Sequence, residues 1–283
     1  MSEHKLQRLR LTHEAMATTY TVAVCHAVSS YARQAVEAAF AELDQIEGRL
    51  TKFADNSDIG RINRSRAGET VLVHVDTYDC LRIALQMQRD TGGVFDVAYA
   101  SARLPKFGPH IALDPRKPAV RVLADGTKLD LGGIGKGFAL DRMAALLKEW
   151  GITSALLCAS TSSLLAMAPP QDEPGWPIRF GPDGAKRTAW LARASFSGSG
   201  TAVRGRHIYD PRTGKPAEGA VRAWAAAPTG AVSDALSTAF MILSEQEIRA
   251  YCQRFPNVSA FIQKTEAPQL TVIADRIGLR DSQ

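Results

Sequence analysis

Apolar residues recur at helical spacing in several stretches of the chain. In the longest, Ser30–Leu50, the residues Val36, Ala39 and Leu43 lie three or four positions apart. A stripe of this kind is the face that an amphipathic helix buries against a core. The same periodicity, bounded by capping residues or glycines, predicts four further helices: Asp76–Thr91, with a cap at Asp76; Gly137–Trp150, ended by Gly151; Asp234–Leu243; and Ser244–Phe255.

Alternating or short apolar runs predict the strands. Thr18–Val28 alternates and is rich in β-branched residues, so it predicts an early strand. Ala119–Leu131 predicts a strand pair that turns at Asp125-Gly126. Further strands are predicted at Ser154–Cys158, between Gly184 and about Trp190, around His207, at Val221–Ala227 and at Leu270–Ala274. Ser101–Pro118 and Pro169–Gly184 are predicted to be irregular.

The order of these elements favours an α+β fold. Strands and helices alternate irregularly, without the regular punctuation of a doubly wound parallel sheet. No linker divides the chain, so residues 1–283 are predicted to form a single domain with mixed or antiparallel sheets and packed helices. Residues 1–12 are expected to be a flexible N-terminal segment.

Composition narrows the classes of function. The chain has 45% hydrophobic and 22% charged residues and a formal net charge of +5, as expected of a globular protein. Its densest basic stretch, Arg61–Arg66, has no interleaved aromatic residues, so no nucleic-acid partner is predicted. The four cysteines form no C-x-x-C pair, which predicts reduced thiols.

The N-terminal residues bear on localisation. Met1–Leu11 is charged, and the chain has no lipobox and no run of about 20 apolar residues. We therefore expect no signal peptide, no membrane partner and a cytoplasmic location.

A glycine-rich loop, Asp130–Gly137, is the strongest local motif. It joins a predicted strand to a predicted helix and contains glycine at four of six consecutive positions, 132–137. Free N–H groups at a helix N-terminus attract anions, and Lys136 adds a positive charge. The loop matches neither the Walker pattern nor G-x-G-x-x-G. A phosphate or metal cradle and a tight, closely packed turn are both consistent with it.

Three other motifs carry candidate chemistry. In the turn Arg206–Pro216, His207 and Asp210 are candidates for acid–base work, although Asp210 could simply cap the turn. Asp234 and Thr238 are four residues apart on a predicted helix, so they share a face that suits a hard cation; alternatively, Asp234 is only an early-helix carboxylate.

The third motif is Gly92–Asp96. Here Phe95 could stack on a flat ring and Asp96 could accept hydrogen bonds from it. A buried turn is equally consistent with these residues.

Taken together and in this order, the motifs resemble the FAD:protein FMN transferase (ApbE) family. The resemblance covers most of the chain, from about Met16 to Leu243. Its most specific patterns are D-L-G-G-I-x-K-G and H-I-x-D-P-R-T-G. The segments that carry it are Met16-Ala17-Thr18, Phe53–Asn63, Gly93–Asp96, Asp130–Gly137, His207–Gly214 and Asp234–Thr238.

The resemblance implies an FAD site with bound Mg2+. The metal ligands would be the backbone carbonyl of Gly135 and the side chains of Asp234 and Thr238. A further set matches positions that line the flavin nucleotide: Met16, Phe53, Val94, Phe95, Asp96, Gly132 and Lys136. His207 and Asp210 match the turn close to the pyrophosphate.

The implied reaction is phosphoryl transfer. A Thr or Ser hydroxyl of an unidentified acceptor protein would attack the FMN phosphorus of FAD, and AMP would leave. Such chemistry depends on positioning and on neutralising the developing charge. Asp234 would act through the metal, and His207 or Asp210 would accept the hydroxyl proton.

The chain also departs from the family pattern. Ala159–Ser163 stands where the family has Gly-Gly-Asp, and Phe196-Ser197-Gly198 where it has Thr-Ser-Gly. An alternative function is therefore open: an FAD-binding relative that only hydrolyses FAD to FMN and AMP, or one that has lost catalysis.

Overall fold

The computed structural model describes residues 7–99, 101, 110–200, 209–216 and 219–281. Its helices are α1 (Ser29–Leu50), α2 (Asp58–Arg64), α3 (Val75–Asp90), α4 (Gly135–Glu149), α5 (Gly230–Ala239) and α6 (Glu245–Arg254). Its strands are β1 (Gln7–Ala15), β2 (Thr18–His26), β3 (Thr70–Leu72), β4 (Ile111–Leu113), β5 (Ala119–Val122), β6 (Ala155–Ala159), β7 (Ser163–Ala166), β8 (Trp176–Phe180), β9 (Arg187–Leu191), β10 (Ala194–Gly200), β11 (Tyr209–Asp210), β12 (Lys215–Pro216), β13 (Arg222–Ala227), β14 (Ser259–Gln263), β15 (Thr271–Ala274) and β16 (Arg280–Asp281).

An antiparallel sheet of eight strands organises the fold. Its spatial order is β1-β2-β6-β7-β10-β13-β14-β15. Two smaller sheets have three strands each, in the orders β16-β9-β8 and β3-β5-β4, and β11 pairs with β12 in a short hairpin. The α+β class with antiparallel sheets and packed helices is thus confirmed.

Both faces of the large sheet are covered. Consecutive strand residues point to opposite faces: Leu165 packs in the core shared with the helices, whereas Ala166 packs in a second core. In that second core Phe180 of β8 contacts Phe196 and Phe261 of the large sheet, with ring centroids 4.5 and 5.1 Å apart. A sheet covered on both faces reads as continuous apolar runs, as β13 does.

All five predicted helices are present, but two of them begin two or more residues earlier than expected. α4 begins at Gly135 rather than Gly137, and α5 at Gly230 rather than Asp234. The predicted cap at Asp76 is also wrong: His74 is the N-cap of α3, and its ring accepts a hydrogen bond from the Asp76 N–H. Gly151 does end α4, in a left-handed conformation with φ of 73°.

Other sequence predictions were wrong in the β regions. Residues 7–12 are not a flexible segment, because they belong to β1 and pair with β2 in continuous register. The stretch 119–131 contains one strand, β5, instead of the predicted pair. β5 pairs with β3 and β4, not with the second half of this stretch. The supposedly irregular 169–184 contains β8. Of these pairings, only that of β5 with β3 joins segments far apart in sequence. β1 and β8 pair with the next strand along the chain, β2 and β9, so distance does not explain why they were missed.

Candidate active site

The site is built where α4 and α5 begin. A Cβ at Gly137 would collide with the carbonyl of Gly230, and one at Gly230 would collide with the carbonyl of Gly137. Only glycine permits two backbones to approach this closely. The interpretation of the glycine loop as a closely packed turn is therefore correct at Gly137, and the packing places the start of α4 against α5.

Asp141 holds the start of α5. Its two carboxylate oxygens accept hydrogen bonds from the N–H groups of Gly230, at 2.6 Å, and Ala231, at 2.8 Å. Burial raises the pKa of Asp141 to about 6; the hydrogen bonds from Ala231 and Gly230 oppose this, and the charge of Asp234 adds to it. This cap comes from another helix, which is why the sequence around Gly230 does not show it.

Replacing Asp141 with alanine is expected to destabilise the protein by about 2–4 kcal/mol at pH 7, because two N–H groups at the start of α5 lose their acceptors. Urea unfolding of wild type and variant measures the loss. Asp79→Ala, which removes a half-exposed carboxylate on α3 that pairs with nearby Arg82, is a control expected to cost under about 1 kcal/mol. Equal stability of the Asp141 variant and wild type would contradict the capping role.

Asp234 lies at the centre of the site and is only 3% exposed. Its Oδ1 accepts a hydrogen bond from the hydroxyl of Ser163 at 3.0 Å, and its Oδ2 accepts one from the N–H of Gly137 at 3.1 Å. The ammonium of Lys136 is 3.6 Å from Oδ2. The glycine loop and α5 therefore meet at one buried carboxylate with a cation beside it.

The charge of Asp234 contributes to the raised pKa of two buried neighbours, Tyr20 and Cys80. Burial raises the pKa of Tyr20 well above its usual range, and the charge of Asp234 adds to that rise. The same two causes, in the same order, raise the pKa of Cys80. Buried surroundings of this kind keep nearby phenol and thiol groups neutral and leave the carboxylate charge to be balanced by cations.

Thr238 lies one turn after Asp234, as the sequence predicted. Its Oγ1 is 3.3 Å from the hydroxyl of Ser199 and 3.4 Å from the carbonyl oxygen of Asp234. A Cβ built at Gly133 would stand 3.2 Å from this Oγ1 and 3.3 Å from the ring of Phe95. The glycine loop thus passes between the metal-ligand candidate on α5 and a predicted flavin contact.

A line of hydroxyls fixes α5 on the large sheet. Ser195, Ser197 and Ser199 alternate along β10, so they point to one face. The hydroxyls of Ser195 and Ser197 bond to that of Ser233, at 2.9 and 2.8 Å, and the hydroxyl of Ser199 bonds to that of Ser237 at 2.9 Å. Small side chains with satisfied hydroxyls allow the helix to lie close to the strand.

The predicted flavin-lining residues of 94–96 lie beneath the glycine loop. Val94 and Phe95 are buried, and Asp96 accepts a hydrogen bond from the N–H of Ala98 at 2.8 Å. Burial raises the pKa of Asp96, against the effects of that bond and of His110. The N–H of Asp130 donates to the carbonyl of Val97 at 2.7 Å, which ties this segment to the glycine loop.

Lys136 and Gly132 lie together at the rim of the loop. The Lys136 ammonium is 3.3 Å from the Gly132 carbonyl. Asp130 accepts from the Gly132 N–H at 2.9 Å and pairs with Lys52 at 2.6 Å. Lys52 also lies 5.2 Å from the ring centre of Phe53, which is 87% exposed. An exposed aromatic ring held beside the loop is available to contact a ligand.

Met16 lies in the turn between β1 and β2. Met16 and Ala17 are in the left-handed region, with φ of 50° and 56°; two such residues in a row are typical of a type I′ hairpin turn. The hydroxyl of Tyr20 contacts the Met16 sulfur at 3.2 Å. Met16 and Tyr20 both pack in the core that the large sheet shares with the helices, which is the side of the sheet on which α5 lies.

Asp210 is engaged within its own turn. Its Oδ1 accepts from the N–H of Arg212 at 2.8 Å, and its Oδ2 pairs with the Arg212 guanidinium at 3.0 Å. Arg212 also pairs with Glu247 at 2.8 Å, in the first turn of α6. These contacts are those of the capping alternative. His207 lies outside the described residues.

Ser163, Asp141, Ser199 and Lys52 are the residues that sequence reasoning missed. Only Asp141 had a local signal, since it lies one turn after Gly137 on the same face of α4. Within the described residues, no group of three or more His, Cys, Asp or Glu side chains could hold a metal. Any cation here would therefore depend on a mixed set of oxygen donors around Asp234.

Among the described helices, none combines the length and the apolar character that crossing a bilayer demands. The four cysteines are free, as predicted.

Comparison with known proteins shows the family of the chain. The ApbE family model matches residues 16–262, which is most of the chain, and the chain therefore belongs to the ApbE family. It is 27% identical to an FAD:protein FMN transferase of Treponema pallidum, over 88% of this chain and 82% of that protein. It is 23% identical to an FAD:protein FMN transferase of Salmonella typhimurium, over 86% of this chain and 81% of that protein.

Solved structures share the fold. The flavin transferase ApbE from Vibrio cholerae superposes with a TM-score of 0.81 at 19% identity, over 96% of this chain and 98% of that one. The apo form of the Pseudomonas stutzeri flavinyl transferase ApbE gives a TM-score of 0.81 at 22% identity, over 96% of each chain.

Proposed function

We propose that this chain is a Mg2+-dependent FAD:protein FMN transferase that moves FMN from FAD to a Thr or Ser hydroxyl of an acceptor protein and releases AMP. The observation that supports this best is the meeting of Lys136, the α4 N-terminus and Asp234 at one buried point. A helix N-terminus and an ammonium suit a pyrophosphate. Family membership and the names of the relatives supply the reaction.

The donor set fits Mg2+. Asp234 supplies a carboxylate, Thr238 a hydroxyl and Gly135 a backbone carbonyl, and Mg2+ prefers oxygen donors, usually one or two carboxylates completed by substrate phosphates. A Cβ at Gly135 would meet only the Leu131 side chain, at 3.9 Å, so packing does not demand glycine there. When bound, Mg2+ supplies Lewis-acid neutralisation of phosphate charge.

The protein's own residues bind and orient the substrate. Lys136 and the positive end of the α4 dipole attract the anionic pyrophosphate. Gly132 permits close approach of that anion, while Phe53, Phe95, Val94, Asp96 and Met16 are the proposed contacts of the flavin nucleotide. The acceptor hydroxyl attacks the FMN phosphorus, the bond to the AMP phosphate breaks, and AMP leaves with the bonding electrons.

The proton of the acceptor hydroxyl needs a base. Because both oxygens of Asp210 already bond to Arg212, we assign Asp210 the positioning of its turn and assign proton acceptance to His207. The ion pair from Arg212 to Glu247 would hold this turn against α6.

Incubation of the protein with FAD, MgCl2 and a Thr-bearing acceptor peptide tests the proposal, with AMP and covalent flavin quantified by chromatography. We expect both products in the presence of Mg2+ and neither with EDTA. AMP without flavinylated peptide, across a panel of Thr- and Ser-bearing peptides, would instead show FAD hydrolysis. Bound FAD without AMP would contradict the transferase and indicate a flavin-binding relative.

A further inference from the structure

Ser163 is a fully buried hydroxyl in the middle of the large sheet. It begins β7 and pairs in register with Ser197 of β10 and Ala159 of β6. Its hydroxyl donates to Oδ1 of Asp234 at 3.0 Å. The segment Ala159–Ser163, which departs from the Gly-Gly-Asp of the family pattern, therefore supplies a neutral donor to the central carboxylate of the site.

The Asp234 carboxylate is held from two sides. The sheet holds Oδ1 through Ser163, and the start of α4 holds Oδ2 through the N–H of Gly137. Each carboxylate oxygen has further lone pairs, and two anchors on different oxygens fix the plane in which those lone pairs lie. Groups that hydrogen-bond a metal-ligating carboxylate orient it and commonly change metal affinity or activity by 10- to 100-fold.

We infer that Ser163 is a positioning residue that orients Asp234 for binding a divalent cation. The inference deepens the proposed function and rests on it for the identity of the cation. A purely structural serine at this helix–sheet contact would affect stability alone. Ser197 provides such a case: it is equally buried, but its hydroxyl hydrogen-bonds to that of Ser233 on the same helix and not to the Asp234 carboxylate.

The test compares Ser163→Ala with Ser197→Ala in Mg2+ titrations at saturating FAD. Melting temperature is the readout, since a ligand that binds the folded state raises it. We expect the Mg2+ concentration at half-maximal shift to rise about tenfold in Ser163→Ala and to stay at the wild-type value in Ser197→Ala. FMN transfer by Ser163→Ala should recover at high Mg2+.

The possible failures are distinguishable. Wild-type transfer of FMN with an unchanged Mg2+ midpoint in Ser163→Ala would overturn the inference and leave the proposed function standing. A midpoint that shifts in Ser163→Ala, while the wild-type protein transfers no FMN, would support the inference and overturn the proposed function. No Mg2+ response in wild type would overturn the inference. If Ser163→Ala does not fold, Ser163→Cys offers nearly the same shape with a weaker donor and should also raise the midpoint.

Discussion

Replacing Asp234 with alanine is expected to lower Mg2+-dependent AMP formation from FAD by at least about 10^2- to 10^3-fold, because the buried carboxylate is the only charged donor of the proposed metal site. The same change leaves the Ser163 hydroxyl and the Gly137 N–H without their acceptor. We therefore also expect a loss of about 2–4 kcal/mol in the free energy of unfolding. Steady-state kinetics and urea unfolding measure the two effects.

Asp234→Asn separates activity from stability. The amide keeps the size of the side chain and can still accept one of the two hydrogen bonds, so it should fold better than the alanine variant while remaining inactive. Asp141→Asn is a matched control, since it neutralises a neighbouring carboxylate that touches α5 but lies outside the metal set. Unchanged turnover in a folded Asp234→Asn would remove Asp234 from the site.

Gly137→Ala is expected to destabilise the protein by about 3 kcal/mol or more, with loss of FAD binding. The new methyl would collide with the carbonyl of Gly230 and stand 2.8 Å from the Cβ of Asp234. Neither neighbour is the flexible end of a side chain, so α4 and α5 must move apart. The measurements are urea unfolding and quenching of flavin fluorescence.

Gly135→Ala is the matched control for this prediction. It lies two residues earlier in the same loop, and its Cβ would make only an ordinary contact with Leu131, at 3.9 Å. Stability is expected to change by less than about 1 kcal/mol, and Mg2+ dependence should persist because the proposed ligand is the backbone carbonyl. Equal losses in both variants would show that the loop tolerates no side chain, for reasons other than the contact of Gly137 with Gly230.

Local patterns were sufficient for the long helices and for the site motifs, but not for their boundaries. The start of α5 depends on Asp141, which is 89 residues away from Gly230. Apolar periodicity begins only near Asp234, so the first turn of α5 was missed. The strands β7, β10 and β14 were also missed. Both faces of the large sheet are covered, so its strands do not show the simple alternation of apolar and polar residues that predicts a strand.

The candidate site shows the same division. Sequence placed Asp234 and Thr238 one turn apart and the glycine loop at a helix start, and both are confirmed. It could not show that Lys136 lies beside Asp234 or that Ser163 donates to it, because these contacts join residues 71–98 positions apart. The flavin contacts, the metal ligands, the role of His207 and the cytoplasmic location stay predictions.

A crystal structure of the protein with FAD and Mg2+ would test the central claim most directly. We predict a metal ion about 2.0–2.1 Å from an Asp234 carboxylate oxygen, with the pyrophosphate beside Lys136 and the first turn of α4. A pyrophosphate bound away from the glycine loop, or a metal ion with no contact to Asp234, would contradict it.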